Sequence, residues 1–152
     1  MMIKLSIPKN VAASIISDYA LTLYNFVGLG HARSQGHVVG RSLLSIMKEN
    51  GLKVQEYNVM VEDMKKILVD KLRVLRDFKA EKKDECTVVV ELKDCFMLPV
   101  VEKLKAVGAE TFTCPITSML MTAVEELFAV GTEYRKFKTS NSKCEVVFGI
   151  CK

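Results

Sequence analysis

The sequence predicts one α+β domain in which helices pack on a small antiparallel sheet. Apolar residues recur at helical spacing through most of the first half and again after Pro115. Short β-branched runs bounded by turn residues occur near residues 87–92 and 143–150. The chain has 152 residues, of which 49% are hydrophobic and 26% charged, and it shows no repeat or linker. Residues 1–152 are therefore expected to form a single domain around one core.

The N-terminal third predicts a strand and two helices. Residues 3–7 alternate between apolar and polar types, as a short edge strand does. Residues 11–27 then show a helical pattern, which Gly28 and Gly30 interrupt. The pattern resumes a few residues later and stops at Gly51, which stands where a glycine commonly ends a helix. We expect two successive helices here.

The middle of the chain predicts a third helix followed by a hairpin. Asn58 is a suitable cap for a helix with a methionine-rich apolar stripe. Residues 72–80 fit either a continuation of that helix or one face of a strand. The charged residues 79–84 resemble a turn leading into residues 87–92, so the hairpin is preferred.

The second half predicts two more helices. Residues 100–107 form a short helix closed by Gly108. The clearest helix follows, with Cys114 as its N-cap residue, Pro115 at its first position and Gly131 at its end.

The C-terminal segment predicts a second hairpin. Residues 133–138 and 143–150 have strand character, and the turn-forming residues 139–142 join them. The expected sheet is thus built from antiparallel hairpins, with the helices packed against it.

Composition excludes several classes of function. The net charge of +4 is small and evenly spread, so no nucleic-acid partner is expected. No stretch has the roughly 18 apolar residues of a membrane span, and residues 1–7 do not resemble a signal peptide. A cytoplasmic location is therefore expected. The five cysteines contain no CxxC pair, which favours buried thiols, metal ligands or reactive thiols over disulfides.

The glycines of residues 28–40 do not form a nucleotide-binding loop. They follow a helical pattern rather than a strand, and they lack the Gly-Lys-Ser/Thr ending. Gly36 and Gly40 lie about one helical turn apart, which indicates a close helix crossing. No nicotinamide or flavin motif and no hydrolase motif is found.

A ligand pocket is predicted between the first two helices and the sheet. The methionine-rich, aliphatic interior is typical of an adaptable apolar site. His37 and Arg41 are candidate polar anchors for an anionic group of the ligand. The alternative for each residue is ordinary core packing. The expected lining residues are Tyr24, Phe26, Phe96 and Met97.

Three distant residues form a candidate zinc site. A thiol at a helix N-terminus, as predicted for Cys114, has its thiolate stabilised by the helix dipole and unpaired amide groups. Glu133 and Cys144 lie on the two arms of the C-terminal hairpin. These three side chains would have to converge to bind zinc, and the residue spacing carries no zinc signature.

Four short motifs resemble the 4-vinyl reductase domain family, whose members bind small molecules. A Gly-Arg region of the family is similar to residues 36–41, and its strand ending in Cys-Phe is similar to residues 88–96. Its cysteine at the start of an apolar helix resembles residues 114–121. Its closing Glu and Cys pattern resembles residues 133–148.

The resemblance implies a fold shared with haem nitric-oxide-binding domains and with a subunit of a vesicle-tethering complex. It also implies an internal apolar pocket and a homodimer. The family's zinc ligands would map to Cys114, Glu133, position 136 and Cys144, but position 136 is Lys. Either zinc is held by three residues, or the site has been lost and Lys136 pairs with Glu133.

Two functions follow as expectations. The first is a sensory or carrier domain for an apolar or aromatic small molecule, and the second is a dimeric protein-interaction module like the tethering-complex subunit. The family name implies vinyl reduction, yet the sequence has no hydride-donor motif, so catalysis is not expected. Family members that sense phenols use a Trp in the pocket, and this chain has none.

Overall fold

The computed structural model describes residues 8–108 and 114–151. Within the first helix, the side chains of residues 9, 10, 13, 20, 23, 24 and 26–37 are outside that description. The strand predicted for residues 3–7 also lies outside the described residues. No helix in the described ranges is long and apolar enough to cross a membrane.

Helices precede each of two strand hairpins along the chain. The elements are α1 (Lys9–Glu49), α2 (Tyr57–Lys65), a π-helical segment (Lys66–Lys71), β1 (Asp77–Asp84), β2 (Thr87–Lys93), α3 (Leu98–Ala106), α4 (Pro115–Phe128), β3 (Gly131–Ser140) and β4 (Lys143–Cys151).

The strands form one antiparallel sheet in the order β1-β2-β4-β3. Each hairpin pairs its own two strands, and β2 pairs with β4 to join the hairpins. The outer strands β1 and β3 each carry a register shift, between Lys82 and Asp84 and between Tyr134 and Lys136. Helices on such a sheet make an α+β fold, which confirms the fold class predicted from the sequence.

The core forms where helices cover one face of the sheet. Strands have a two-residue side-chain period, and alternate residues of β2 and β4 are buried accordingly. Nine consecutive residues of α4, from Ile116 to Val124, are buried, so this helix is enclosed on all sides. The fully buried strand residues include Phe78, Val88, Val90, Leu92, Val146 and Phe148.

The predicted break between two N-terminal helices is wrong. Residues Lys9–Glu49 form one continuous helix of 41 residues, which runs through Gly28 and Gly30. A glycine inside a helix costs only about 1 kcal/mol relative to alanine, so two of them weaken a helix without ending it. The predicted end is confirmed, since Gly51 has a φ of +101°.

Three element boundaries differ from the sequence prediction. Glu56, rather than Asn58, caps α2: its carboxylate accepts hydrogen bonds from the amides of Asn58 and Val59 at 3.0 Å. The first hairpin is confirmed, but β1 begins at Asp77 rather than near residue 72, and residues 79–84, predicted as the turn, belong to β1, which pairs with β2. Helix α4 ends before Gly131, because Ala129 adopts a left-handed φ of +52° and Gly131 opens β3.

The backbones of α1 and α4 touch where the two helices cross. A Cβ atom placed on Gly40 would lie 2.6 Å from the carbonyl oxygen of Ser118, closer than real Cβ contacts come. The same carbonyl accepts a hydrogen bond from the Thr122 hydroxyl at 2.9 Å. Only glycine fits at position 40 at this crossing distance.

We predict that Gly40→Ala destabilises the protein by about 1–3 kcal/mol, because the added methyl group meets backbone that cannot rotate away. Helix propensity alone would give the opposite sign, a gain of about 1 kcal/mol. Urea unfolding measures the difference. Gly131→Ala is the matched control, since its added Cβ would lie 3.9 Å from the nearest atom. An unchanged or higher stability of Gly40→Ala would contradict the crossing geometry.

Candidate functional site

Three cysteines are buried where α4 begins and where β2 and β4 meet. Cys95 follows the end of β2, Cys114 precedes α4, and Cys144 is the second residue of β4, opposite Leu92. Their exposed fractions are 4%, 8% and 4%. A negative charge on Cys114 or on Cys144 disfavours ionisation of Cys95, and a negative charge on Cys114 also disfavours ionisation of Cys144. The site is therefore a cluster of three interacting thiols, called here the thiol cluster.

The predicted start of α4 is confirmed. Cys114 has an extended backbone at the N-cap position, and Pro115 occupies the first turn, where its missing amide hydrogen is not needed. The carbonyl of Cys114 accepts the first hydrogen bond of the helix from the Ser118 amide at 2.9 Å. The sequence Cys-Pro thus fixes the thiol at the helix N-terminus.

The helix N-terminus does not activate the Cys114 thiol. Burial is the largest influence and raises its pKa. The amide and hydroxyl of Thr117 and the amide of Ile116 act in the opposite direction but do not outweigh burial. The helix end favours the thiolate as expected, but the pKa rises because the cost of charging a group away from water is larger than the attraction of the helix end.

The other two thiols of the cluster are also neutral at physiological pH. Burial, together with a smaller influence of the nearby Cys114, raises the pKa of Cys95 to about 12. Burial raises the pKa of Cys144 to about 11. Lys105 on α3 favours the Cys144 thiolate, whereas Glu102 and Cys114 disfavour it. Neutral thiols behave as small hydrophobic groups, so the cluster forms part of the apolar core.

Glu133 does not join the thiol cluster. It pairs with Gly149 on β4, while Cys144 pairs with Thr139, so the two lie five residues apart along β4. At about 3.3 Å per residue they are separated by roughly 17 Å. The exposed Glu133 carboxylate instead pairs with Arg135, with 2.9 Å between Oε1 and Nε.

The described residues do not fit a zinc ion held by Cys114, Glu133 and Cys144. In residues 8–108 and 114–151, no three His, Cys, Asp or Glu side chains are grouped so that they could hold a metal. Lys136 is exposed, and the partner of Glu133 is Arg135 rather than Lys136 as the sequence suggested. Zinc binding stays a prediction that elemental analysis of protein purified without chelator measures directly.

Phe96 and Met97 lie beside the thiol cluster, where the predicted pocket was placed. Both are half-buried and pack against the main core. Met97 also contacts a small second cluster formed by Val100 and Leu104 of α3, against which Ile16 of α1 packs. This region between α1, α3 and the sheet is the candidate binding site.

The remaining predicted pocket residues are on α1. Arg41 is exposed, so it does not lie among the buried residues of this region. The side chains of Tyr24, Phe26 and His37 are outside the described residues, and their pocket role stays a prediction.

The sequence prediction missed Cys95 and Lys105 as members of this region. In the sequence, Cys95 is recognisable only as the end of a strand motif, because the pairing of β2 with β4 leaves no local signal. Lys105 was one of several helix lysines, and its position near Cys144 depends on how α3 docks. Both require the strand order β1-β2-β4-β3, which no local pattern encodes.

Comparison with solved structures shows which known proteins this chain resembles in fold. The phenol-responsive sensory domain of the transcription activator PoxR, determined with phenol, matches with a TM-score of 0.62 and 14% identity, covering 98% of this chain and 76% of that chain. Subunit 3 of a trafficking protein particle complex from Naegleria fowleri, covalently bound to palmitic acid, gives a TM-score of 0.49 and 10% identity over 94% of this chain and 97% of that chain. No protein-family model and no curated protein matches the chain. The chain therefore shares its α+β fold with the PoxR sensory domain.

We predict that the free energy of unfolding falls as the pH rises from about 9 toward 12. The folded-state pKa of Cys95 and of Cys144 lies above the ordinary value of 9.0, so the unfolded chain loses these protons first. The contribution of these two thiols to the free energy of unfolding is fully present below pH 9. It is lost as the pH rises through their folded-state pKa values. Urea unfolding at a series of pH values measures this slope.

Cys144→Ala provides the comparison for the pH experiment. Its stability should fall less steeply over the same range, because one of the shifted thiols is absent. The exposed Cys86→Ala is the matched control and should keep the slope of the unaltered protein. Equal slopes in all three proteins would show that the Cys144 thiol does not cause the loss of stability.

Proposed function

We propose that this protein is a small-molecule-binding domain of the 4-vinyl reductase type, with a sensory or carrier role for an apolar or aromatic ligand. The observation that carries the proposal is the shared fold, over 98% of this chain, with a sensory domain determined with phenol. The four sequence motifs that resemble the family point in the same direction. The proposal is of binding rather than vinyl reduction, because the sequence offers no hydride-donor motif.

The chemistry around the thiol cluster supports an apolar ligand. Three neutral thiols, the half-buried Phe96 ring and the Met97 thioether are all weakly polar and polarisable groups. Such groups contribute dispersion and sulfur–aromatic contacts, and they offer few hydrogen-bond donors to a polar molecule. The ligand class proposed is therefore a neutral apolar or aromatic molecule bound beside Phe96 and Met97.

We predict that Phe96→Leu weakens binding of the neutral fluorophore phenylnaphthylamine about fivefold, because the aromatic contact is lost while the apolar volume is largely kept. Fluorescence titration measures this dissociation constant. Phe128→Leu is the matched control: its ring is also partly exposed, at 40%, but it stacks on Tyr57 with ring centroids 6.4 Å apart. This variant should bind as the unaltered protein does.

Native mass spectrometry of protein purified without denaturation gives an independent result. A co-purified organic molecule that is reduced in Phe96→Leu and retained in Phe128→Leu supports the proposal. Fluorophore binding that both substitutions leave unchanged, with no co-purified molecule, would contradict it.

An exposed apolar stripe favours a second proposal, that the protein is a homodimer and serves as an interaction module. Val11, Ile15 and Tyr19 lie at i, i+4 and i+8 on α1, with exposed fractions of 43%, 47% and 76%. This spacing places them on one face of the helix. A helix face of this kind is normally covered in the functional state, and a second copy of the chain offers the same face for a symmetric contact.

We predict that light scattering gives twice the 17.0 kDa chain mass and that Ile15→Glu returns the mass to one chain, because a carboxylate at the centre of the stripe would be buried without a partner. Val59→Glu is the matched control, since Val59 is exposed to 45% on a different helix, α2. A mass of one chain for the unaltered protein at micromolar concentration would exclude the dimer.

A further inference from the structure

A depression of about 410 Å³ opens at the turn end of the β3–β4 hairpin, away from Phe96 and Met97. Residues on either side of the hairpin turn form most of its wall, and Lys105 reaches it from α3. Its volume is within the range of small-molecule sites in proteins.

Positive groups predominate in this wall. Lys105, Lys138 and Lys143 line the depression, whereas Glu145 is the only acidic residue among its described lining residues. Lys143 is paired with Glu91 of β2, with 3.0 Å between Nζ and Oε2. The wall thus carries more ammonium groups than its carboxylates neutralise.

Among the residues that the structure describes, no carboxylate pairs with two of the three ammonium groups. Lys105 contacts the hydroxyl of Thr139, a neutral partner. Lys138 is opposite Glu145 in the strand pairing, but it makes no ion pair within residues 8–108 and 114–151. Unpaired ammonium groups that share one concave surface repel each other, and an anion placed between them removes that repulsion.

Hydroxyl groups and an aromatic ring complete the wall. Thr139 and Ser140 place two hydroxyls beside the lysines, and Phe137 adds a half-buried ring. A phosphate ester has several strong acceptor oxygens for ammonium and hydroxyl donors, and its organic part can contact a ring. Lysine is a common phosphate ligand because its charge is compact and its stem is flexible.

We propose that this depression binds the phosphate group of a small phosphorylated molecule, with Lys105 and Lys138 as its main ligands and Phe137 against its organic part. The site differs from the proposed apolar site in place and in chemistry. The domain would then bind a second, anionic ligand in addition to the proposed neutral apolar one, on the hairpin that also carries Cys144.

The proposal is tested by NMR titration of the full chain with inorganic phosphate and with phenyl phosphate. Saturable shifts of amides in residues 137–145 are expected, with tighter binding of the ester because its ring contacts Phe137. Lys105→Gln and Lys138→Gln should each weaken binding about tenfold, the usual effect of losing one charge-assisted hydrogen bond. Lys138→Arg should retain most of the affinity, since it keeps the positive charge.

Lys79→Gln is the matched control, because Lys79 is an exposed lysine of the same sheet on the other edge strand. Its affinity for phenyl phosphate should equal that of the unaltered protein. Equal weakening in Lys79→Gln would show general attraction to a basic surface and would overturn the proposal. Absence of saturable shifts would overturn it as well. Neither result bears on the Phe96→Leu experiment, so the two sites stand or fall separately.

Discussion

The close approach of α1 and α4 at Gly40 is the constraint on which the rest of the structure depends. Two helix backbones can touch only where one of them lacks a side chain, and Gly40 meets the Ser118 carbonyl in this way. Beyond this contact α1 buries Leu44 and Met47, and α4 is enclosed on all sides. The contact also sets where α4 begins over the sheet, and hence where Cys114 lies relative to Cys144. A shift of one helix along the other would move the thiol cluster apart.

Burial rather than the helix end decides the chemistry of these thiols. A charge at an exposed helix terminus gains about 0.3–1 kcal/mol from the helix dipole. Removing an ion from water costs several kcal/mol, so the pKa of Cys114 rises although its position would otherwise lower it. The neutral thiols therefore act as part of the apolar layer. A zinc site requires ionised thiolates, whereas an apolar site requires neutral thiols. The burial of Cys95, Cys114 and Cys144 favours the apolar site.

The sequence predicted those features that depend on local pattern and missed those that depend on register or docking. The start of α4 at Cys114 and both hairpins were predictable, because capping residues, turns and alternation are local signals. The break at Gly28 was wrong because a long helix tolerates glycines when tertiary contacts hold its other residues. The prediction that Glu133 and Cys144 converge was wrong for a different reason. Two residues on paired strands are neighbours only if the register places them opposite each other, and here Glu133 is opposite Gly149.

The alternation of β4 also separates the two proposed sites. Cys144 points into the buried layer with Val146, while the adjacent Lys143 and Glu145 line the depression. Lys105 is close to both the depression and the buried layer: it lines the depression, and its charge favours the Cys144 thiolate. A phosphate bound at Lys105 would offset that charge and make the Cys144 thiol still harder to ionise. Since burial already raises the pKa of Cys144 to about 11, this thiol is neutral at physiological pH with or without the anion, so the apolar layer is unchanged and the two proposed sites bind their ligands independently.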